Sequence, residues 1–379
     1  MARRLVHVIT PGDHFSPSTG SAVPTVVHGL SSATPAGGPR PAVAVARGTY
    51  SDRYPSADVL EYDERRPRRL DRYGDVLAAR TIGRRPFVTA RFAAALTDQA
   101  EWPPAVVLVH NGPQGIHVVD SRHVPVLYAH NEVLRTYGRR EVARTLGAAA
   151  RIVCVSDFLA DRTSDHLPPE LRDRVAVVRN GVDTDAFQPP GRWERGDRLE
   201  VTFVGRMLRD KGADVLLDAL ALLDRPDIHA TVVGSAGFDP RAAPTAFETE
   251  IARAAEALGD RVTRRPFVPR ADVAELLRSA DVVVVPSRWS DPCPLTVLEG
   301  MGSGAALVAS AVGGIPEQLG GAGIAVPPGD ARALAEVLSA LAGDAGLLAR
   351  TRTASRAHAL DHSWQRSNAD LASALAGVA

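Results

Sequence analysis

Short apolar runs alternate with longer amphipathic stretches along almost all of the 379 residues, and this alternation confines the chain to one fold class. The runs at 5–9, 42–46, 105–109, 124–128, 152–155, 175–178, 199–204, 230–233, 262–267, 282–285, 306–309 and 324–326 read as strands. Several, such as Val282 to Val285, carry no polar alternation, as expected of strands covered on both faces. Helical spacing fills the intervals 211–223, 248–258, 271–280 and 331–341, and the chain reads as helical from there to the end. Strands separated by helix-length connections pair in parallel, so the expected class is α/β with doubly wound parallel sheets. The length suits two domains of roughly 150 to 200 residues rather than one core. The expected break is 188–197, a Pro/Gly/charged stretch without periodicity.

Composition removes several classes of function. Basic and acidic residues number 44 each and are interspersed, and aromatics are 5%, so neither the basic face nor the stacking platform of a nucleic-acid binder is present. Cys154 and Cys293 stand far apart with no CxxC or Cys/His cluster, which argues against a disulfide framework or a zinc site. No apolar run approaches the ~20 residues of a membrane span. The N-terminus reads as a first strand rather than a signal peptide, so the expected location is cytoplasmic. An arginine-rich segment around Arg65, Arg66, Arg68 and Arg69 could meet anionic lipid. Its interleaved acids Asp63, Glu64 and Asp71, with no apolar face discerned, favour a solvated surface.

Among 44 basic side chains Lys211 is the only lysine. An ammonium is a compact point charge and a guanidinium a planar fork, so the two are not equivalent where one phosphate oxygen must be met. Gly205-Arg206 and Lys211-Gly212 lie between a strand and a helix, where α/β proteins bind anions. In an Arg-, Ala- and Gly-rich chain a surviving lysine also has a neutral explanation, and the neighbours must decide. The densest neighbour runs from Asp281 to Met301. A strand ends at Pro286, a Pro-rich loop follows, and a helix begins near Leu295 or Thr296 with backbone N–H groups free for a phosphate. Asp291 and Glu299 stand eight residues apart there, and carboxylates suit paired sugar hydroxyls. Alone, they would read as a solvated loop acid and a surface helix acid.

Together with Val155-Ser156, Asn180-Gly181-Val182-Asp183 and Gly313-Gly314-Ile315-Pro316-Glu317, these motifs resemble retaining glycosyltransferases of family 4, which have the GT-B fold. The resemblance covers roughly the whole chain and is strongest over 150–330. It implies two Rossmann-like domains facing across a cleft. Residues 1–190 would form the acceptor side, with the tail from about 361 to 379 packing back on it, and 196–360 the nucleotide-sugar side. It further implies a nucleoside diphosphate sugar donor, no cofactor and no essential metal. Arg206 and Lys211 would clamp the diphosphate, and Glu299 would bind the ribose. Asp291 would hold the transferred sugar from a position where the family usually has Glu. Arg265 and Phe267, around Pro266, would lie near the base.

Pro292 and Pro294 depart from the family's Gly-containing loop because they have no N–H, which leaves Cys293 and Leu295 as donors ahead of Thr296. In the N-terminal half, Gly20-Ser21 stands where the family often has Gly-Gly against the donor phosphate or the acceptor, and a plain polar loop is the other reading. His130 matches a family histidine beside the transferred sugar, and His110, Asn111 and Gln114 are candidates for the acceptor side. Asp183-Thr184-Asp185 resembles a metal-binding DxD but sits in a turn, so Asp183 reads as structural. Around Lys211 there is no Walker loop, since Asp210 precedes it and no Ser or Thr follows. Expected partners are therefore the donor and a small-molecule acceptor, with a specialised bacterial metabolite preferred and oligomeric state open. A lipid-linked acceptor, a non-catalytic sugar-nucleotide-binding subunit, and a phosphorylase carrying pyridoxal phosphate on Lys211 are the rivals.

Overall fold

The computed structural model describes residues 3–64, 68–191, 193, 196–237 and 241–378. Arg65 and Arg66, and Arg192, Glu194 and Arg195 of the expected linker, lie outside the described residues. The chain divides into two compact units, Met1–Asn180 with Trp364–Ala379, and Gly181–Ser363.

The first unit is built on a seven-stranded parallel sheet: β1 (Arg4–Val8), β2 (Ala42–Ala46), β3 (Asp58–Tyr62), β4 (Ala105–His110), β5 (Val124–Ala129), β6 (Arg151–Cys154) and β7 (Val175–Val177). The order β3-β2-β1-β4-β5-β6-β7 reverses direction between β1 and β4. In such sheets ligands gather beyond the strand ends at the reversal. β3 is absent from the strands expected from sequence. It is an edge strand paired to β2 alone, and only Tyr62 of its five residues is buried, so it has no apolar run. The helix Trp364–Leu375 belongs to this unit: Asn368 donates to the Leu30 carbonyl at 2.9 Å, and Arg151 Nε to the Ala374 carbonyl at 2.9 Å. Gly29 lies so close to the Trp364 indole that a Cβ there would fall 2.2 Å from it.

One face of this sheet carries an aromatic file. His7 is in register with Leu108, and His110 lies two residues beyond Leu108, which places both rings on the same side. His110 is in turn in register with Tyr128, and His130 follows two residues later. The rings stack, with centroids 5.2 Å apart for His7 and His110, 5.1 Å for His110 and His130, and 4.9 Å for Tyr128 and His130. All three histidines are buried. Burial holds them well below the ordinary histidine range, His7 and His130 down to about 3, with neighbouring histidines pushing His110 and His130 the same way.

The helix Asp71–Ile82 corrects one expectation. Around the arginine-rich segment there is an apolar face after all: Leu70, Tyr73 and Leu77 are 74%, 71% and 65% exposed, and Ile82 is exposed beside them. Mean polarity hid this face, because three apolar residues at helical spacing are diluted by the arginines and acids between them.

The second unit holds β8 (Leu199–Val204), β9 (Ile228–Val233), β10 (Val262–Arg265), β11 (Val282–Val285), β12 (Ala306–Ser310) and β13 (Ile324–Val326). All pair in parallel in the order β10-β9-β8-β11-β12-β13, again reversing, here between β8 and β11. The strand period divides the core. Val282 and Val284 pack with Leu216, Leu220 and Leu338 on one face, Val283 and Val285 with Leu298, Met301 and Leu319 on the other. Val182 and Phe187 join the second cluster, so the change of unit falls at Asn180/Gly181, ahead of the expected 188–197 break. A buried pair, Arg352 with Asp281, is completed by Trp193, whose Nε1 donates to Asp281 Oδ1 at 2.8 Å under the guanidinium. No helix among the described residues is long and apolar enough to cross a membrane.

The buried histidines make the first unit acid-labile. Their folded pKa values lie below the unfolded value of 6.5, so below that pH the unfolded chain binds more protons and stability falls with pH. Each ring adds about 1.4 kcal/mol per pH unit to the slope. Urea unfolding between pH 7 and about pH 5 should show a midpoint that drops steeply below about 6.5; a flat midpoint would contradict the buried, neutral state.

Candidate active site

At the reversal in the second unit, two loops are pressed together. Gly212 has φ +75°, and a Cβ there would lie 2.0 Å from the Pro286 carbonyl oxygen, so only glycine lets the chain after β8 reach the end of β11. Gly313, at φ +63°, does the same from the other side, since its Cβ would fall 2.4 Å from the Asp291 carbonyl oxygen. The Asp291 backbone is held by two further bonds, from its N–H to the Trp289 carbonyl at 2.7 Å and from the Gly314 N–H to its own carbonyl at 2.9 Å. The result brings Lys211 onto Asp291: the ammonium and the carboxylate form an ion pair across 80 residues of sequence, with Asp291 mostly buried and Lys211 half-buried. Among the described residues the ammonium donates to this acid alone, which leaves two N–H groups for other acceptors.

Beyond Asp291 the helix Leu295–Gly302 begins at Pro294, with no side-chain cap. Among the described residues the N–H groups of Leu295 and Thr296 meet no acceptor, so this end of the helix offers two donors and the positive pole of its dipole. Cys293 is buried in the loop. Glu299, on the second turn, is almost fully buried and its carboxylate is held by the Arg270 guanidinium. Arg270 was not among the residues singled out from sequence. It opens the helix Arg270–Arg278, and nothing in its neighbourhood of arginines and prolines marks it.

Arg206 is exposed, and its guanidinium donates to the Ala236 carbonyl at 2.9 Å rather than to Asp291 or Glu299. Arg265 and Phe267 stand at the end of β10, tied to β9's end by Gly234 N–H to the Arg265 carbonyl at 3.1 Å and Phe267 N–H to Ser235 Oγ at 3.0 Å. The strand stops at Arg265, short of Phe267, because Pro266 cannot donate to a ladder. Asp183 Oδ1 accepts from the N–H groups of Asp185 and Ala186 at 3.1 and 3.0 Å, a turn-forming use of the side chain.

In the first unit, Gly20 is exposed and Ser21 directly precedes the helix Ala22–Ser32, with Ser21 Oγ donating to Asp13 Oδ2 at 3.0 Å instead of capping the helix. His130 follows β5, its N–H donating to Asn111 Oδ1 at 2.8 Å. Asn111 takes φ +53°, a left-handed conformation that asparagine tolerates better than most residues. The histidine rings are joined in line: His7 Nδ1 to His110 Nε2 at 2.9 Å, and His110 Nδ1 to His130 Nε2 at 2.8 Å. His110 is fully buried with both ring nitrogens engaged, and it does not line the cavity of about 750 Å³ that Asn111 and Gln114 share with Arg72, Arg85, Arg91 and Tyr137. Arg85 is paired with Glu141 and Arg91 with Glu64. His7 escaped notice in the sequence; the one signal it gives is a polar residue in the middle of an otherwise apolar strand.

Comparison with known proteins agrees with this arrangement. Residues 5–186 match the model described as Glycosyltransferase Family 4, and residues 198–344 the one described as Glycosyl transferases group 1. The D-inositol 3-phosphate glycosyltransferase of Streptomyces scabiei is 31% identical over 67% of this chain and 61% of its own length. The enzyme of the same name from Mycolicibacterium vanbaalenii is 33% identical over 71% and 62%. The chain therefore spans about three fifths of the length of these relatives. Among solved structures, Anabaena HepE with UDP and glucose superposes with a TM-score of 0.74 at 18% identity over 99% of this chain and 100% of that one. Sucrose-phosphate synthase from Thermosynechococcus elongatus gives 0.75 at 20%, over 98% of each chain. With both halves matched in order and two parallel-sheet units of the shared fold, the chain belongs to glycosyltransferase family 4 and has the GT-B fold.

Proposed function

We propose that this protein is a retaining glycosyltransferase that moves a sugar from a nucleoside diphosphate sugar to a hydroxyl of a small-molecule acceptor. The observation that carries the reading is the pairing of Lys211 with Asp291 at the strand reversal, beside an uncapped helix start. Departure of a diphosphate concentrates negative charge on its oxygens. Lys211, Arg206 and the N–H groups of Leu295 and Thr296 are the groups to receive it, each strong preorganised donor contributing about 3 kcal/mol to the transition state. Asp291, held by Lys211, accepts from sugar hydroxyls, while Glu299, fixed by Arg270, accepts from the ribose. His130 stands beside the transferred sugar. The acceptor proton passes to a donor phosphate oxygen, so no protein nucleophile and no metal is required by this scheme.

The acceptor is proposed to be a small polar molecule carrying a phosphate. Supporting it are the cavity lined by Arg72, Asn111 and Gln114, and relatives named for D-inositol 3-phosphate. A specialised bacterial metabolite of that chemistry fits equally. One observation favours a second reading, a lipid-linked acceptor: the exposed Leu70, Tyr73 and Leu77 lie among Arg68, Arg69 and Arg72, a combination that suits an anionic membrane surface.

Three outcomes follow. In a thermal-shift screen of UDP-, GDP- and ADP-sugars, one base class should raise Tm, and Lys211→Ala should abolish that rise and lower kcat about a hundredfold or more with the far-UV spectrum unchanged. Near-normal turnover in Lys211→Ala would remove the clamp. Transfer should continue in excess EDTA; complete, metal-reversible loss there would show that a divalent ion shares the charge. In flotation with phosphatidylglycerol vesicles the protein should stay in solution under the first reading. Co-flotation lost in a Leu70→Ser/Leu77→Ser variant would instead establish the second.

A further inference from the structure

We propose that His7, a buried residue that touches no substrate, fixes His130 as a hydrogen-bond donor by locking three imidazole tautomers in series through His110. This rests on the reading of His130 as the residue beside the transferred sugar, and makes His7 a positioning residue for that site.

A neutral imidazole has one N–H and one bare nitrogen. His110 sits in the middle with both nitrogens engaged, so it must donate on one side and accept on the other. If its Nδ1–H donates to His130 Nε2, its own Nε2 accepts from His7 Nδ1–H, and the proton of His130 is on Nδ1. If the direction is reversed, all three rings carry their proton on Nε2. Any mixed arrangement sets two lone pairs or two N–H groups against each other at under 3 Å, so the file has only two states.

The closed end decides between them. Among the described residues, His7 Nε2 is buried and meets no hydrogen-bond partner. In the first state this atom is a bare nitrogen; in the second it is an N–H with nothing to receive it. Orphaned buried donors are the rarer defect in folded proteins, so the first state is the one held. His130 then presents Nδ1–H, the only nitrogen of the file for which no hydrogen bond is made among the described residues other than the closed His7 end. Because that end opens onto nothing, the file cannot pass a proton through. It acts as a lock, and a donor at His130 selects a ligand oxygen with an available lone pair. Burial keeps all three rings neutral, which the lock requires.

The test is the tautomeric state in protein labelled with ¹⁵N-histidine, read from long-range ¹H–¹⁵N correlations at about pH 7, with assignments from His7→Leu and His130→Asn. The intact protein should show His7, His110 and His130 each protonated on Nδ1. A proton on Nε2 of His130, a charged ring, or averaging between tautomers would overturn the proposal whether or not the protein transfers sugar. His7→Leu moves the closed end to His110 Nε2, which by the same rule stays bare, so His130 should keep the single Nδ1–H form. His7→Asn, whose amide can present either its oxygen or an N–H to His110 Nε2, should release His130 into averaging between tautomers. With the nucleotide sugar that gives the largest thermal shift, His7→Asn should lower kcat about tenfold while KM for that donor stays within about twofold, and His7→Leu should keep most of the activity. Equal losses in the two variants would reduce His7 to a packing residue. If His7→Leu does not fold, the spectrum of the intact protein decides alone. If the tautomers are as stated but no nucleotide sugar is turned over, the lock stands and the catalytic reading fails.

Discussion

The contact between the Gly212 backbone and the Pro286 carbonyl is the constraint on which the rest of the second unit's site depends. Both flanking strands end at the reversal of the sheet, and the sheet fixes their spacing. Whether the loops beyond them can touch depends on the absence of a single side chain. With Gly212 and Gly313 closing on the 286–291 segment from opposite sides, the segment has little freedom of its own, and Pro286 at its start with Pro292 just after it removes more. Asp291 is thereby delivered to Lys211 by backbone packing, without relying on the ion pair to pull the loops together. An ion pair at partial exposure contributes only a modest amount to stability, so this order of cause is the physically reasonable one.

This arrangement alters the meaning of the departures visible in the sequence. Asp291 is one methylene shorter than the usual glutamate, yet the short side chain is met by Lys211 at the loop itself. The prolines withdraw two N–H groups from the loop, and Leu295 and Thr296 just beyond them keep theirs uncommitted. Charge is balanced locally: Asp291 by Lys211, Glu299 by Arg270, Asp214 by Arg288. Under the proposed function, a diphosphate at this site would compete with carboxylates for partners already in place.

Much of the fold was legible because buried parallel strands announce themselves as uninterrupted apolar runs, and β11 with its four valines is the clearest. β3 was not, since an edge strand has one neighbour and one covered side and so needs no such run. Lys211, Asp291 and Glu299 were legible as residue types at strand and helix ends. That Lys211 and Asp291 meet each other, and that Arg270 holds Glu299, depends on loop paths that no local pattern encodes. The histidine file lies between these cases. The spacing Tyr128-x-His130 and the strand-end His110 are in the sequence, but the register that sets His7 level with Leu108 is a property of two strands separated by about a hundred residues. The exposed face of Asp71–Ile82 was missed for a simpler reason: the arginines and acids between its few apolar residues dilute the stripe.

The seating of Trp364 against Gly29 bears on the order in which the protein can be assembled. The helix that follows Ser363 completes the unit begun by β1, so the first unit is closed by residues synthesised after the whole of the second. During translation, 181–363 can reach its full complement of core residues while the earlier unit still exposes the groove beside Leu30 and Arg151. The earlier unit therefore remains uncovered at Gly29 until Trp364 is available, however early its sheet forms.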